Sequence, residues 1–64
     1  MTWEEAKKLA QKGIKVTHAY FLPSEYLIMK GNIIEFECGV QIFEQEWFQG
    51  KDYLLNNWSV YENN

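Results

Sequence analysis

His18 is the single histidine of this 64-residue chain and the one side chain expected to titrate near neutrality. No serine, cysteine or carboxylate stands at a spacing that would make it a general base, so it reads as a hydrogen-bonded strand histidine. Cys38 is the single cysteine. Glu37 precedes it, and that charge opposes formation of a reactive thiolate. Glu35 and Glu37 share one strand face, and Glu44 and Glu46 repeat the spacing. Paired carboxylates serve acid–base catalysis when one is desolvated. On solvated strands they more often keep sheet edges from associating, and that is the expectation here. No catalytic constellation and no metal-ligand spacing emerges, so the chain reads as a binder rather than an enzyme, with no cofactor.

The aromatic residues are the stronger signal. Five of the fifteen residues from Trp47 to Tyr61 carry rings, interleaved with Lys51, Asp52, Asn56 and Asn57. Three tryptophans, four tyrosines and four phenylalanines are more than so short a chain is expected to hide. Trp3, Phe36, Phe43 and Trp58 have the spacing of core residues. Tyr20, Phe21, Tyr26, Trp47 and Phe48 lie near loops and strand ends, where core packing, a subunit contact and a planar ligand compete. Lys51, next to Gly50, can donate to a phosphate or stand solvated at the start of a short helix. The candidate ligand-binding residues are Tyr20, Phe21, Trp47 and Lys51.

Net charge is −3, the isoelectric point is 4.9, and every basic residue is lysine. An acidic chain without arginine is a poor reader of duplex DNA. No apolar run approaches the roughly 18 residues of a membrane span, and no leader pattern opens the chain. A cytoplasmic protein with no membrane association is expected. With no disulfide available, assembly into a homo-oligomer is the remaining source of stability for a domain of this size.

The elements that would position these residues begin with Thr2-Trp3-Glu4-Glu5, which has the form of a capping box. Trp3, Ala6, Leu9 and Ala10 fall on one face of a helix over residues 3–12, ended by Gly13. Ile14 to Tyr20 alternates as a strand until Pro23 forces a turn. Tyr26–Lys30 and Ile33–Glu37 form a hairpin across Gly31-Asn32, with Met29 opposite Ile34 and Leu27 opposite Phe36. Cys38-Gly39 reads as a second tight turn into a strand over Val40–Phe43. Strict two-residue pairing there sets Gln41 beside Phe36 unless a bulge intervenes. A short helical turn at Lys51–Leu55 and a closing strand at Trp58–Tyr61 follow, and Glu62-Asn63-Asn64 is expected to fray. Residues 1–64 thus read as a single α+β domain: an N-terminal helix on a small antiparallel sheet, with a short second helix before a closing strand.

Three segments together resemble the second Thoeris anti-defence family, small phage proteins that act as nucleotide sponges. These are Met1-Thr2-Trp3-Glu4-Glu5-Ala6, the exit Gly13-Ile14-Lys15-Val16, and Asp52-Tyr53-Leu54-Leu55-Asn56-Asn57-Trp58-Ser59-Val60. The family pattern is a helix opening Thr-aromatic-x-Glu-Ala, a Gly-Lys-Lys-Val exit and a closing Asp-Leu-Leu-x-x-Asp-Trp. Family members usually carry Arg-x-Gly-Trp after the first strand, where this chain has Thr17-His18-Ala19-Tyr20, and they are commonly longer in the middle. The resemblance implies an α+β homo-oligomer that sequesters a cyclic adenine-nucleotide immune signal without cleaving it. In that reading adenine stacks on Tyr20, Phe21 or Trp47 while Lys51 meets a phosphate. The alternative is an anti-CRISPR-like protein that blocks a host defence effector directly. Glu35, Glu37, Glu44 and Glu46 would then face a basic groove, with exposed aromatics as anchors.

Overall fold

The Thr2 hydroxyl accepts from the Glu5 N–H at 3.3 Å, and the Thr2 N–H donates to the Glu5 carboxylate at 2.9 Å. This capping box satisfies two donors that a helix start leaves orphaned. It also holds the Glu5 carboxyl below the usual range, chiefly through the Thr2 backbone hydrogen bond. The helix it starts, α1, spans Trp3–Ala10 in the computed structural model, which describes residues 1–62. The fraying expected of Asn63 and Asn64 lies outside the described residues. At the other end Gly13 adopts φ +85°, its N–H reaches the Ala10 carbonyl at 3.0 Å, and the Ile14 N–H reaches Leu9 at 3.2 Å. These are the paired bonds of a Schellman ending, so the regular helix stops two residues before the expected residue 12.

Five strands follow: β1 Val16–His18, β2 Leu27–Lys30, β3 Ile33–Phe36, β4 Gln41–Phe43 and β5 Trp58–Val60. They form one antiparallel sheet in the order β4-β3-β2-β1-β5. The β2–β3 hairpin has the expected register, Leu27 opposite Phe36 and Met29 opposite Ile34. Gly31 takes the positive φ that the first central position of a type II′ turn requires.

The β3–β4 turn differs from the two-residue reading. The Gly39 N–H returns to the Phe36 carbonyl at 2.9 Å, and the Phe36 N–H bonds the Val40 carbonyl at 2.9 Å. Glu37, Cys38 and Gly39 therefore form a three-residue loop, with Gly39 left-handed at φ +89°. The extra residue slides the pairing by one: Ile34 meets Ile42, and Gln41 meets Glu35 rather than Phe36. A one-residue slip exchanges the two faces of a strand. Ile42 packs against the core, while Phe43, expected inside, is 53% exposed.

After β4 the chain makes a single helical turn, α2 at Glu44–Trp47, then a 3₁₀ turn at Asp52–Leu54. It returns as β5 beside β1, with His18 opposite Trp58. Helix α1 packs on β1, β2 and β5. Ala6 and Ala10, both fully buried, allow its close approach to the sheet. Trp3, Val16, Leu27, Met29, Ile34, Leu54 and Trp58 complete the core, and Leu9 and Phe36 pack against it half-buried. Val60, at the sheet edge, stays exposed. Among the described residues no helix is long and apolar enough to cross a membrane.

Asn57 is the one described residue other than glycine with a positive φ, +71°, and its carbonyl accepts the Ala19 N–H at 3.1 Å. Asparagine tolerates this region; a β-branched side chain does not. Asn57→Val should lower stability by roughly 1–2 kcal/mol, while Asn57→Gly should stay within about 0.5 kcal/mol of the parent. Urea denaturation with equal midpoints for all three chains would contradict the strained conformation.

Candidate functional site

Rings from five segments meet on the helix-bearing side of the sheet. Trp3 lies 4.8 Å from Phe48 and 4.9 Å from Trp58, measured between centroids. Trp47 touches Phe48 at 4.8 Å and Phe36 at 5.4 Å, each edge to face. Phe21 stands edge-on to Trp58 at 5.6 Å and to Trp47 at 6.3 Å. Edge contacts of this kind are among the favoured geometries for aromatic pairs. The apparent excess of rings is thus largely absorbed by the protein packing its aromatics on one another.

This arrangement divides the four residues singled out by sequence. Phe21 and Trp47 are neighbours, half-buried against the core. Lys51 joins them: its ammonium lies 5.5 Å from the Trp47 ring centroid and donates to the Trp47 carbonyl at 2.7 Å. That carbonyl closes α2 and has no helical partner, so the lysine satisfies an orphaned acceptor. Tyr20 is separate from this group. It is 72% exposed and pairs instead with Tyr53, 57% exposed, at 6.1 Å. Tyr53 was not singled out by sequence.

His18 lies beneath Tyr20, with 3% of its surface exposed. Its Nδ1 accepts the Tyr20 N–H at 3.0 Å, and its Nε2 sits 2.6 Å from the Asn56 carbonyl. An acceptor at Nδ1 and a donor at Nε2 assign the neutral Nε2–H tautomer. The Nδ1 bond also draws Tyr20 out of the strand ladder, so β1 ends at His18 rather than at Tyr20. With both nitrogens committed to the main chain, the imidazole acts as a structural bridge.

The carboxylates have two fates. Glu35, on the uncovered sheet face, accepts from Gln41 at 2.7 Å and Lys30 at 3.2 Å. Those bonds, Gln41 first, hold its carboxyl below the usual range. Glu44, expected to be solvated beside Glu46, is instead a strut. It accepts the Trp3 indole N–H at 2.7 Å and pairs with the Lys7 ammonium at 2.7 Å, tying α2 to α1. The sequence offered one hint: a core tryptophan needs an acceptor for its N–H. Beside the strut, Trp3, Glu4, Glu44, Gln45, Phe48 and Leu55 line an open groove of about 370 Å³. Cys38 is exposed at the β3–β4 turn. Among the described residues, no three of His, Cys, Asp and Glu gather as metal ligands would.

No protein-family model, curated protein or solved structure matches this chain.

Proposed function

We propose that this protein is a phage or prophage anti-defence protein that captures a cyclic adenine-nucleotide immune signal in the host cytoplasm without cleaving it. The observation that carries the reading is Tyr20, a ring left largely in solvent while its backbone is fixed from below by His18. A base can stack on such a ring at little ordering cost. The resemblance to the sponge family supplies the nucleotide. Two of the segments that carry it meet in space: the Trp3 N–H donates to the Leu55 carbonyl at 2.9 Å, and the Trp3 and Trp58 rings are in contact. Lys51, whose ammonium gives one of its three N–H donors to the Trp47 carbonyl, keeps the others for the proposed phosphate, within a set completed by Phe21 and Trp47. Capture needs affinity alone, with no group poised for a reaction.

The direct-inhibitor reading draws less support. Of its four carboxylates, Glu35 and Glu44 are committed to partners within the chain, which leaves Glu37 and Glu46 exposed to face a basic partner.

A homo-oligomer is part of the proposal. Leu22, Val40 and Phe43 are large apolar side chains left exposed at the surface. Burying them between copies would add stability that a small core lacks. Sedimentation at micromolar concentration should give a mass well above 7.7 kDa. A clean monomer would remove any pocket between subunits. For binding itself, calorimetry against a panel of cyclic adenine nucleotides should register heat for the parent chain. Tyr20→Ala should weaken that binding about tenfold or more while leaving the circular dichroism spectrum unchanged. No heat with any member of the panel would end the sponge reading and make a pull-down of host defence proteins the next test.

A further inference from the structure

We infer that Tyr20 and Tyr53 form one stacking platform for the base of the captured ligand, and that His18 is the positioning residue that holds its two halves together. The inference rests on the nucleotide-capture reading and adds Tyr53 and His18 to it. Most other rings on this side of the molecule are folded into the aromatic cluster, yet these two face solvent from different segments with centroids 6.1 Å apart and planes inclined by 48°, so a base stacked on one ring meets the other at an angle.

The ground under each ring is fixed. On the Tyr20 side, the Tyr20 N–H is held by His18 Nδ1, the Ala19 N–H by the Asn57 carbonyl, and the Phe21 N–H by the His18 carbonyl. On the Tyr53 side, neighbouring Leu54 is buried in the core, and its N–H closes on the Lys51 carbonyl at 2.9 Å. The Leu55 N–H closes on Asp52 at 3.1 Å, and the same stretch then reaches His18 through the Asn56 carbonyl. One buried imidazole therefore bonds the main chain of both ring-bearing segments. Its own ring rests against Trp58 at 5.1 Å and Tyr20 at 5.3 Å, so it is not free to turn. Bracing of this kind lets two exposed rings offer their faces without a large ordering cost on binding. Stacking uses the ring rather than the phenol hydroxyl, so the platform should tolerate phenylalanine and fail with alanine.

The test is calorimetry of the 64-residue chain with the same panel of cyclic adenine nucleotides as probes. Tyr53→Ala should weaken binding about tenfold, as should Tyr20→Ala, while Tyr53→Phe should stay close to the parent. His18→Gln keeps an amide able to reach the Asn56 carbonyl but disturbs the acceptor under Tyr20. It should weaken binding, whereas Ile42→Ala, which loosens the core at the far edge of the sheet, should not when both are measured below their melting temperatures. No binding by the parent chain overturns the capture reading and this inference together. Parent binding that survives Tyr53→Ala overturns the inference alone. So does a Tyr53→Ala chain that binds normally but sediments at lower mass, because the rings would then be a contact between copies. Loss of binding in Ile42→Ala equal to that in His18→Gln would remove the positioning role from His18.

Discussion

Replacing Trp58 with alanine should leave the chain unfolded at room temperature. Trp58 is 2% exposed, and its indole N–H donates to the Leu54 carbonyl at 2.6 Å. Its ring touches Trp3, His18, Phe21 and Trp47, so it joins α1, β1, the segment after β1 and α2. Removing a buried tryptophan costs about 3–5 kcal/mol in transfer and cavity terms. A single core in a chain below ~70 residues rarely supplies more than about 3–5 kcal/mol in total. The two quantities are equal within their spread, and the folded state should disappear. Trp58→Phe keeps most of the apolar volume but orphans the Leu54 carbonyl, at a cost of about 1–3 kcal/mol, and should fold with a lowered melting temperature. Circular dichroism and amide proton dispersion report both outcomes. A cooperative transition for Trp58→Ala within a few degrees of the parent would show that the core is not organised around this ring.

The second large effect is a contrast between adjacent residues. Ile42→Asp should destabilise the protein by about 2 kcal/mol or more, because an unpaired carboxylate would be forced against the core. Phe43→Asp should cost less than about 1 kcal/mol, because that ring stands largely in solvent. The two-residue turn read from sequence gives the opposite order, with Phe43 inside. Chemical denaturation of the two variants decides between the registers. Equal losses, or a greater loss at Phe43, would contradict the three-residue loop at Glu37-Cys38-Gly39.

That loop shows where local sequence stops being sufficient. Gly31-Asn32 sits between two runs of matching alternation, so its hairpin and register were legible. At Cys38-Gly39 the same glycine serves a turn of two or three residues, and the choice alone decides whether Ile42 or Phe43 faces the core. Helix α1 was legible because its start and stop are chemical: the Thr2–Glu5 box and Gly13. Helix α2 carries no such signal. Its N-cap is Phe43, which makes no side-chain cap bond, and four residues are too few to show a period.

The site follows the same division. Tyr20 was legible as a ring at a strand end. Tyr53 was not, because its exposure follows from the 3₁₀ turn that points Leu54 inward. For Trp47 and Phe21 core packing, a subunit contact and a planar ligand stayed in competition, because edge-to-face contacts across distant segments leave no periodic trace. The Trp3–Glu44 bond spans 41 residues and is likewise invisible to any local pattern. Composition counted the rings correctly and could not say that they would pack on each other.

Capture without cleavage is tested most directly by what the protein carries away. The protein is incubated with a nucleotide extract generated by a bacterial immune synthase, washed, heat-denatured, and the released material identified by mass spectrometry. The expected result is an intact cyclic adenine nucleotide, released in a fixed ratio to protein and still able to activate its effector. Release of no nucleotide, or of a linear or cleaved product, would contradict the reading.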